Sequence, residues 1–121
     1  MKVAISTQSN DIDALVDPRF GRARWFIIAD TATGEWSAID NNENVSASGG
    51  AGVQASSTVV SQGAEAIITG NVGPNAQRAL AAGSIAVYQV GNGATARAAL
   101  DALGRGELPA VQGPTVNGHW A

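Results

Sequence analysis

Short apolar runs closed by polar turn formers organise the first third of the chain. Val3, Ala4 and Ile5 end at Ser6-Thr7-Gln8-Ser9-Asn10, and the run Trp25 to Ala29 is bounded in the same way. Unbroken apolar runs of this length predict strands buried on both faces. Between them Asp11 to Arg22 carries Pro18 and Gly21, too polar and interrupted for a helix of any length, and reads as a long loop. After Asp30-Thr31-Ala32-Thr33-Gly34 the alternation of Trp36, Ala38 and Asp40 with Ser37 and Ile39 predicts a return strand. Gly34 offers the positive φ of a short hairpin loop, so the second and third strands should pair antiparallel.

The pattern then changes period. Asn41 to Gly52 is polar and glycine-rich, and it leads into Val53 to Gln62, where Val53, Ser56, Ser57 and Val60 follow helical spacing and Gly63 is a C-terminal stop. A strand-helix unit follows twice. Ala64 to Thr69 closes at Gly70 and precedes a helix that starts at Gly73-Pro74-Asn75, with Pro74 in the first turn, and stops at Gly83. Ser84 to Val90 closes at Gly91 and precedes a helix with a stripe of Ala96, Ala99, Leu100 and Leu103, stopping at Gly104. Short connections between alternating strands and helices require parallel strands. The fold class is therefore α/β: a five-stranded mixed sheet with helices on both faces, in the order β1 β2 β3 α1 β4 α2 β5 α3. The tail from Arg105, with Pro109, Gly113, Pro114 and Gly118, should be irregular.

Composition narrows the partners. With 121 residues the chain has the size of one domain. Seven basic residues against ten acidic ones give a net charge of −3, with no basic stripe to neutralise a phosphate backbone, so no nucleic acid partner is expected. No apolar run spans a bilayer, and Met1-Lys2 followed by Val3 to Ser6 lacks a signal-peptide core, so the expectation is a cytoplasmic, monomeric protein away from the membrane. Cysteine is absent, which excludes disulfides, Cys-ligated zinc and Cys-ligated iron-sulfur clusters.

In such sheets ligands collect beyond the carboxyl ends of the parallel strands, here Ser6-Thr7, Gly70-Asn71 and Gly91-Asn92. Three helix starts are glycine-rich: Gly49 to Gly52, Gly70-Asn71-Val72-Gly73-Pro74 and Gly91-Asn92-Gly93-Ala94. Bare backbone lets an anion approach N–H groups at the positive end of a helix dipole, although glycine also serves tight turns alone. Gly91, Gly93 and Ala96 have the spacing of a relaxed dinucleotide fingerprint, but no strand-borne acid follows about 20 residues later. The loop Asp17-Pro18-Arg19-Phe20-Gly21-Arg22-Ala23-Arg24 holds three of the seven basic residues. Its guanidinium groups suit a multi-atom anion or an ion pair with Asp11, Asp13 or Asp17. Catalytic constellations are thin: His119 is the sole histidine, close to the end, and Ser6, Thr7 and Ser9 have no second histidine to activate them. Asp11, Asp13 and Asp17 read as a solvated acidic loop.

Met1-Lys2-Val3-Ala4-Ile5-Ser6-Thr7, Arg19-Phe20-Gly21-Arg22-Ala23, Gly49-Gly50-Ala51-Gly52, Ile68 through Ala76, and Gly113-Pro114 with Gly118-His119 together resemble the dinitrogenase iron-molybdenum cofactor biosynthesis family. The resemblance spans nearly the whole chain and implies a three-layer ribonuclease-H-like fold and a role in binding or carrying metal-sulfur cofactors without catalysis. Within the family the chain is most similar to members that hold a molybdenum-copper sulfide cluster without covalent attachment. Many relatives place histidines just before the Gly-Gly-Ala-Gly segment, where this chain has Asn44-Val45-Ser46-Ala47-Ser48. That departure, with the missing cysteines, favours an anionic thiometallate whose own sulfides saturate its metals.

The reading that follows is a non-enzymatic carrier or storage protein for an anionic molybdenum-copper sulfide cluster. Arg19 and Arg22 supply charge and Phe20 an apolar wall beside Gly21. Ser6, Thr7, Gly50, Ala51, Gly52, Gly70, Asn71, Gly73, Pro74, Asn75, Gly91, Asn92 and Gly93 supply backbone and polar donors; no side chain ligates the metal directly, His119 being the one candidate. The resemblance also implies metal-cluster assembly proteins or ATPases as partners. Two rivals stand beside this reading: a regulatory or scaffold domain for a protein partner in cluster assembly or cell division, and an enzyme acting on a phosphorylated metabolite.

Overall fold

The computed structural model describes residues 1–42 and 50–113. Its strands are β1 (Lys2–Thr7), β2 (Trp25–Asp30), β3 (Trp36–Asp40), β4 (Ala66–Thr69), β5 (Ala86–Gln89) and β6 (Ala110–Val111). Its helices are α1 (Ala51–Ser61), α2 (Pro74–Ala82) and α3 (Ala96–Gly104), and a 3-10 turn covers Phe20–Arg22 within the long first loop. The six strands form one mixed sheet in the order β3-β2-β1-β4-β5-β6. β1 lies inside it, antiparallel to β2 with Ile5 opposite Ile27, and parallel to β4 with Ile5 opposite Ile68.

Alternation along the strands divides the apolar residues between two cores. Ala4, Phe26, Ile28, Ile67 and Val87 join Ala55 and Val59 of α1 and Ala76 and Leu80 of α2 on one face. Val3, Ile5, Ile27, Ala29 and Ile68 join Ala96 and Ala99 of α3, with Ile12 and Val16 of the first loop, on the other. This two-sided covering is why β1 and β2 read as apolar runs rather than as alternating strands. The β2–β3 hairpin forms as expected, with Asp30 N–H donating to the Glu35 carbonyl (2.9 Å) and Gly34 at φ +79°. Pro74 begins α2 and Gly83 caps it.

The expected count of five strands is corrected to six. Within the segment assigned to an irregular tail, Ala110–Val111 pairs antiparallel with Val87 and Tyr88, and the Pro109 carbonyl accepts from Gln89 N–H (3.0 Å). Two residues between Pro109 and Gly113 carry no detectable period, and only the bare edge of β5 gives them a partner. The end of the tail, including Pro114, Gly118, His119 and Trp120, lies outside the described residues, as do Asn44 to Ser48 and Gly49. Among the described residues no helix is long and apolar enough to cross a membrane.

Candidate functional site

The carboxyl end of β1 is closed rather than open. Ser6 and Thr7 are buried, and their polar groups hold the first loop down. Asp17 N–H donates to the Ser6 carbonyl (2.8 Å), and Ser6 Oγ lies 2.8 Å from both the Asp17 carbonyl and Thr69 Oγ1. One hydroxyl hydrogen satisfies both contacts only as a relay, with Ser6 donating to the carbonyl and accepting from Thr69. Thr7 Oγ1 donates to the Ser9 carbonyl (2.9 Å). These two residues position the loop and have no hydroxyl aimed outward.

Gly70 has a related task. A Cβ built on it would stand 2.6 Å from Pro18 Cα and 2.9 Å from Pro18 Cβ, so its bare Cα is what lets the loop cross the end of β4. Directly beyond Pro18 the chain runs parallel to Asn71: Arg19 pairs with it as an isolated bridge, and Phe20 N–H donates to its carbonyl (3.3 Å). The Asp17 carboxylate, nearly buried, accepts from Arg19 N–H (2.9 Å) and lies 3.8 Å from Arg19 Nε. The backbone of Arg19 is thus fixed while its side chain stays half exposed. Phe20, expected as a wall of the site, is fully buried with its ring 5.3 Å from Phe26; it anchors the 3-10 turn to the core beneath Arg19 and Arg22. Gly21 is buried in the same turn.

That turn packs against α1, and α1 packs against α2. Ser56 Oγ in α1 donates to the Gly52 carbonyl (2.7 Å) and approaches the Ala76 carbonyl in the first turn of α2 (3.5 Å). Gly50 caps α1 in the left-handed region (φ +73°), and Gly73 caps α2; neither glycine has a side chain to cap with. Three of the expected segments therefore meet on one rim of the α1–α2 face: Arg19 to Arg22, Gly50-Ala51-Gly52, and Gly70-Asn71 with Gly73-Pro74-Asn75. Two helix N-termini with no side-chain cap among the described residues, beside the Arg19–Arg22 turn, favour an anion there.

Gly91, Asn92 and Gly93 are exposed and lead to α3 on the opposite face. Its N-terminus is already occupied: Ala96 N–H donates to the Ala14 carbonyl (2.9 Å), Arg97 N–H to the Ile12 carbonyl (2.8 Å) and Ala98 N–H to Thr95 Oγ1 (3.1 Å). The third glycine-rich start thus serves to dock the first loop. Sequence reasoning passed over Arg78, one turn into α2, whose guanidinium donates to the Asn75 side-chain oxygen. Arg78 places a further cation beside the α2 start, a position readable from the three-residue spacing to Asn75. Among the described residues no three His, Asp or Glu side chains are grouped to hold a metal ion. Arg and backbone N–H donors can hydrogen-bond an anion that arrives assembled; they cannot ligate a bare metal.

Elsewhere Asp13 and Arg97 pair at 2.7 Å. The hydrogen bond from Arg97 holds the Asp13 carboxyl below the usual carboxylate range.

Comparison with known proteins agrees with the mixed α/β fold. Residues 1–106 match the sequence profile of the family described as dinitrogenase iron-molybdenum cofactor. The apo form of the orange protein from Desulfovibrio gigas is 38% identical, with 95% of this chain and 96% of that one covered and a TM-score of 0.93. A NifB-like protein from Thermotoga is 36% identical over 88% of this chain and 90% of that one, with a TM-score of 0.78. No curated protein matches.

Proposed function

The chain belongs to the dinitrogenase iron-molybdenum cofactor family, and from that premise we propose that it binds and carries an anionic molybdenum-copper sulfide cluster without catalysing a reaction. The observation that carries this reading is the alignment of Arg19 and Phe20 alongside Asn71, which brings the Arg19–Arg22 turn to the uncapped start of α2. The high structural similarity to the orange protein over almost the full length of both chains and the lack of any cysteine support it. A thiometallate already carries sulfide on its metals and needs hydrogen-bond donors and positive charge, which are the groups this rim offers. Arg19 and Arg22 compensate its charge, and backbone N–H groups at the α1 and α2 starts orient it.

Titration of the protein with tetrathiomolybdate and Cu(I), followed in the visible spectrum, tests the reading. The double change Arg19→Ala with Arg22→Ala should weaken binding by about 1 to 3 kcal/mol, and the corresponding Lys pair should recover only part, because a bidentate fork is lost. Unchanged affinity in the double Ala variant removes these residues from the site.

A further inference from the structure

The turn Gly91-Asn92-Gly93 joins β5 to α3, and the rim formed by α1 and α2 on the other face of the sheet leaves it without a task. It serves no close approach of chains either. All three residues are exposed, and a Cβ built on Gly91 or Gly93 would meet nothing within 4 Å. Among the described residues neither the Asn92 side chain nor the Gly93 N–H has a hydrogen-bond partner. Gly93 stands at φ +91°, a conformation that suits a residue without Cβ, so no side chain shields its nitrogen from the Asn92 amide.

The other described asparagines are held or hindered. Asn41 is buried and its Nδ2 donates to the Ala23 carbonyl (2.8 Å). The Asn75 side-chain oxygen accepts from Arg78, and the next residue, Ala76, is fully buried. Asn71 precedes the buried, branched Val72, and Asn10 and Asn42 precede Asp11 and Glu43, whose side chains flank the following nitrogen. A side-chain amide carbon is an electrophile, and the next main-chain nitrogen closes a five-membered ring on it when nothing blocks or engages that nitrogen. Exposed loop tips of small and polar residues are where such covalent change concentrates.

We propose that Asn92 is a site of spontaneous deamidation. The Gly93 nitrogen loses its proton and bonds to Asn92 Cγ, the Cγ–Nδ2 bond breaks, and the side-chain nitrogen leaves as ammonia. Water then opens the resulting succinimide at either carbonyl, giving aspartate or isoaspartate with no change of oxidation state. Either product adds a carboxylate ahead of α3, and isoaspartate also lengthens the main chain just before Ala94, whose carbonyl accepts from Val16 N–H of the first loop (2.9 Å). The inference is independent of the cluster reading.

Incubation of the full chain in mildly alkaline buffer, with peptide mapping by mass spectrometry over time, tests it beside a synthetic peptide of residues 90–94. Asn92 in the folded protein should gain about one dalton at a rate within tenfold of the peptide's, at least tenfold faster than Asn41, Asn71 or Asn75, and should yield isoaspartate as well as aspartate. Gly93→Ala should slow the change at least fivefold. Should that substitution disturb the turn, the comparison of wild-type protein with peptide decides alone. An Asn92 amide lost more than tenfold more slowly in the protein than in the peptide, a rate matched at Asn71 or Asn75, or aspartate as the sole product overturns the proposal.

Discussion

Gly70 shows how a single missing side chain governs the rim. Its Cα touches the backbone of Pro18, and a methyl group there would meet Pro18 Cα at 2.6 Å, a contact that only a shift of the loop can relieve. Gly70→Ala should therefore cost about 1 to 3 kcal/mol, read as a lower urea midpoint, and should displace Arg19, the next residue after Pro18. A variant as stable as the wild type would show that the crossing is loose. Ser6 acts from the other side of the same crossing. Its hydroxyl is the relay between Thr69 and the Asp17 carbonyl, and Ser6→Ala leaves those two buried oxygens only their long direct contact of 3.5 Å. Its effect should likewise appear in stability first and in anion affinity only through Arg19. The sequence singled out Ser6 and Gly70 for their place at strand ends, but a ligand-facing residue and a loop anchor look alike in one dimension. The difference is Pro18, more than 50 positions away from Gly70 along the chain.

At the scale of the elements, three glycine-rich helix starts that read alike in sequence divide into two kinds. Among the described residues α1 and α2 begin without side-chain caps, whereas the first N–H groups of α3 are spent on Ile12, Ala14 and Thr95. Thr95→Ala removes one cap and should destabilise the protein by about 1 kcal/mol, measured by urea unfolding, while tetrathiomolybdate binding stays at the wild-type level. A loss of binding would mean that α3 takes part in holding the cluster. Thr95, directly before the Ala96-Ala99-Leu100 stripe, has the residue type of a cap, a signal that reading the start as the glycine-rich Gly91 to Ala94 passed over. The carbonyls of Ile12 and Ala14 gave no signal, because a main-chain acceptor has no residue signature. Strands β1 to β5 and the three helices were legible because their periods or apolar runs extend over at least four residues. The two residues of β6 depend on the edge of β5 and have no such pattern. The α3 face also depends on pH. The Arg97 hydrogen bond lowers the folded carboxyl value of Asp13 below its usual 3.8, so the pair stabilises the fold above that value. Its contribution is lost as the pH falls below 3.8 and through the lowered folded value. Both side chains are more than half exposed, so the effect should be small and weakened by salt. Asp13→Asn should lower the urea midpoint slightly at neutral pH and leave it unchanged below the lowered carboxyl value; a difference that persists in acid would assign Asp13 another role.

At the scale of the whole molecule the sheet separates the candidate anion rim from the α3 face. The α1–α2 face gathers cations and helix N-termini at the carboxyl ends of the central strands, and the α3 face packs the first loop against the other side of the sheet. In this account the cluster is held by a surface that exists only when the first loop, α1 and α2 are assembled: Arg19 and Phe20 need Asn71, and Asn71 needs the end of β4. No thiol contributes, since the chain has none. The most direct test is gel filtration of the protein loaded with tetrathiomolybdate and Cu(I), run in native buffer and in denaturant, with molybdenum and copper measured in every fraction. The account predicts that both metals travel with the folded protein and leave the unfolded chain together as a low-mass species. Metals that remain with the unfolded polypeptide would contradict it and show direct ligation by the protein.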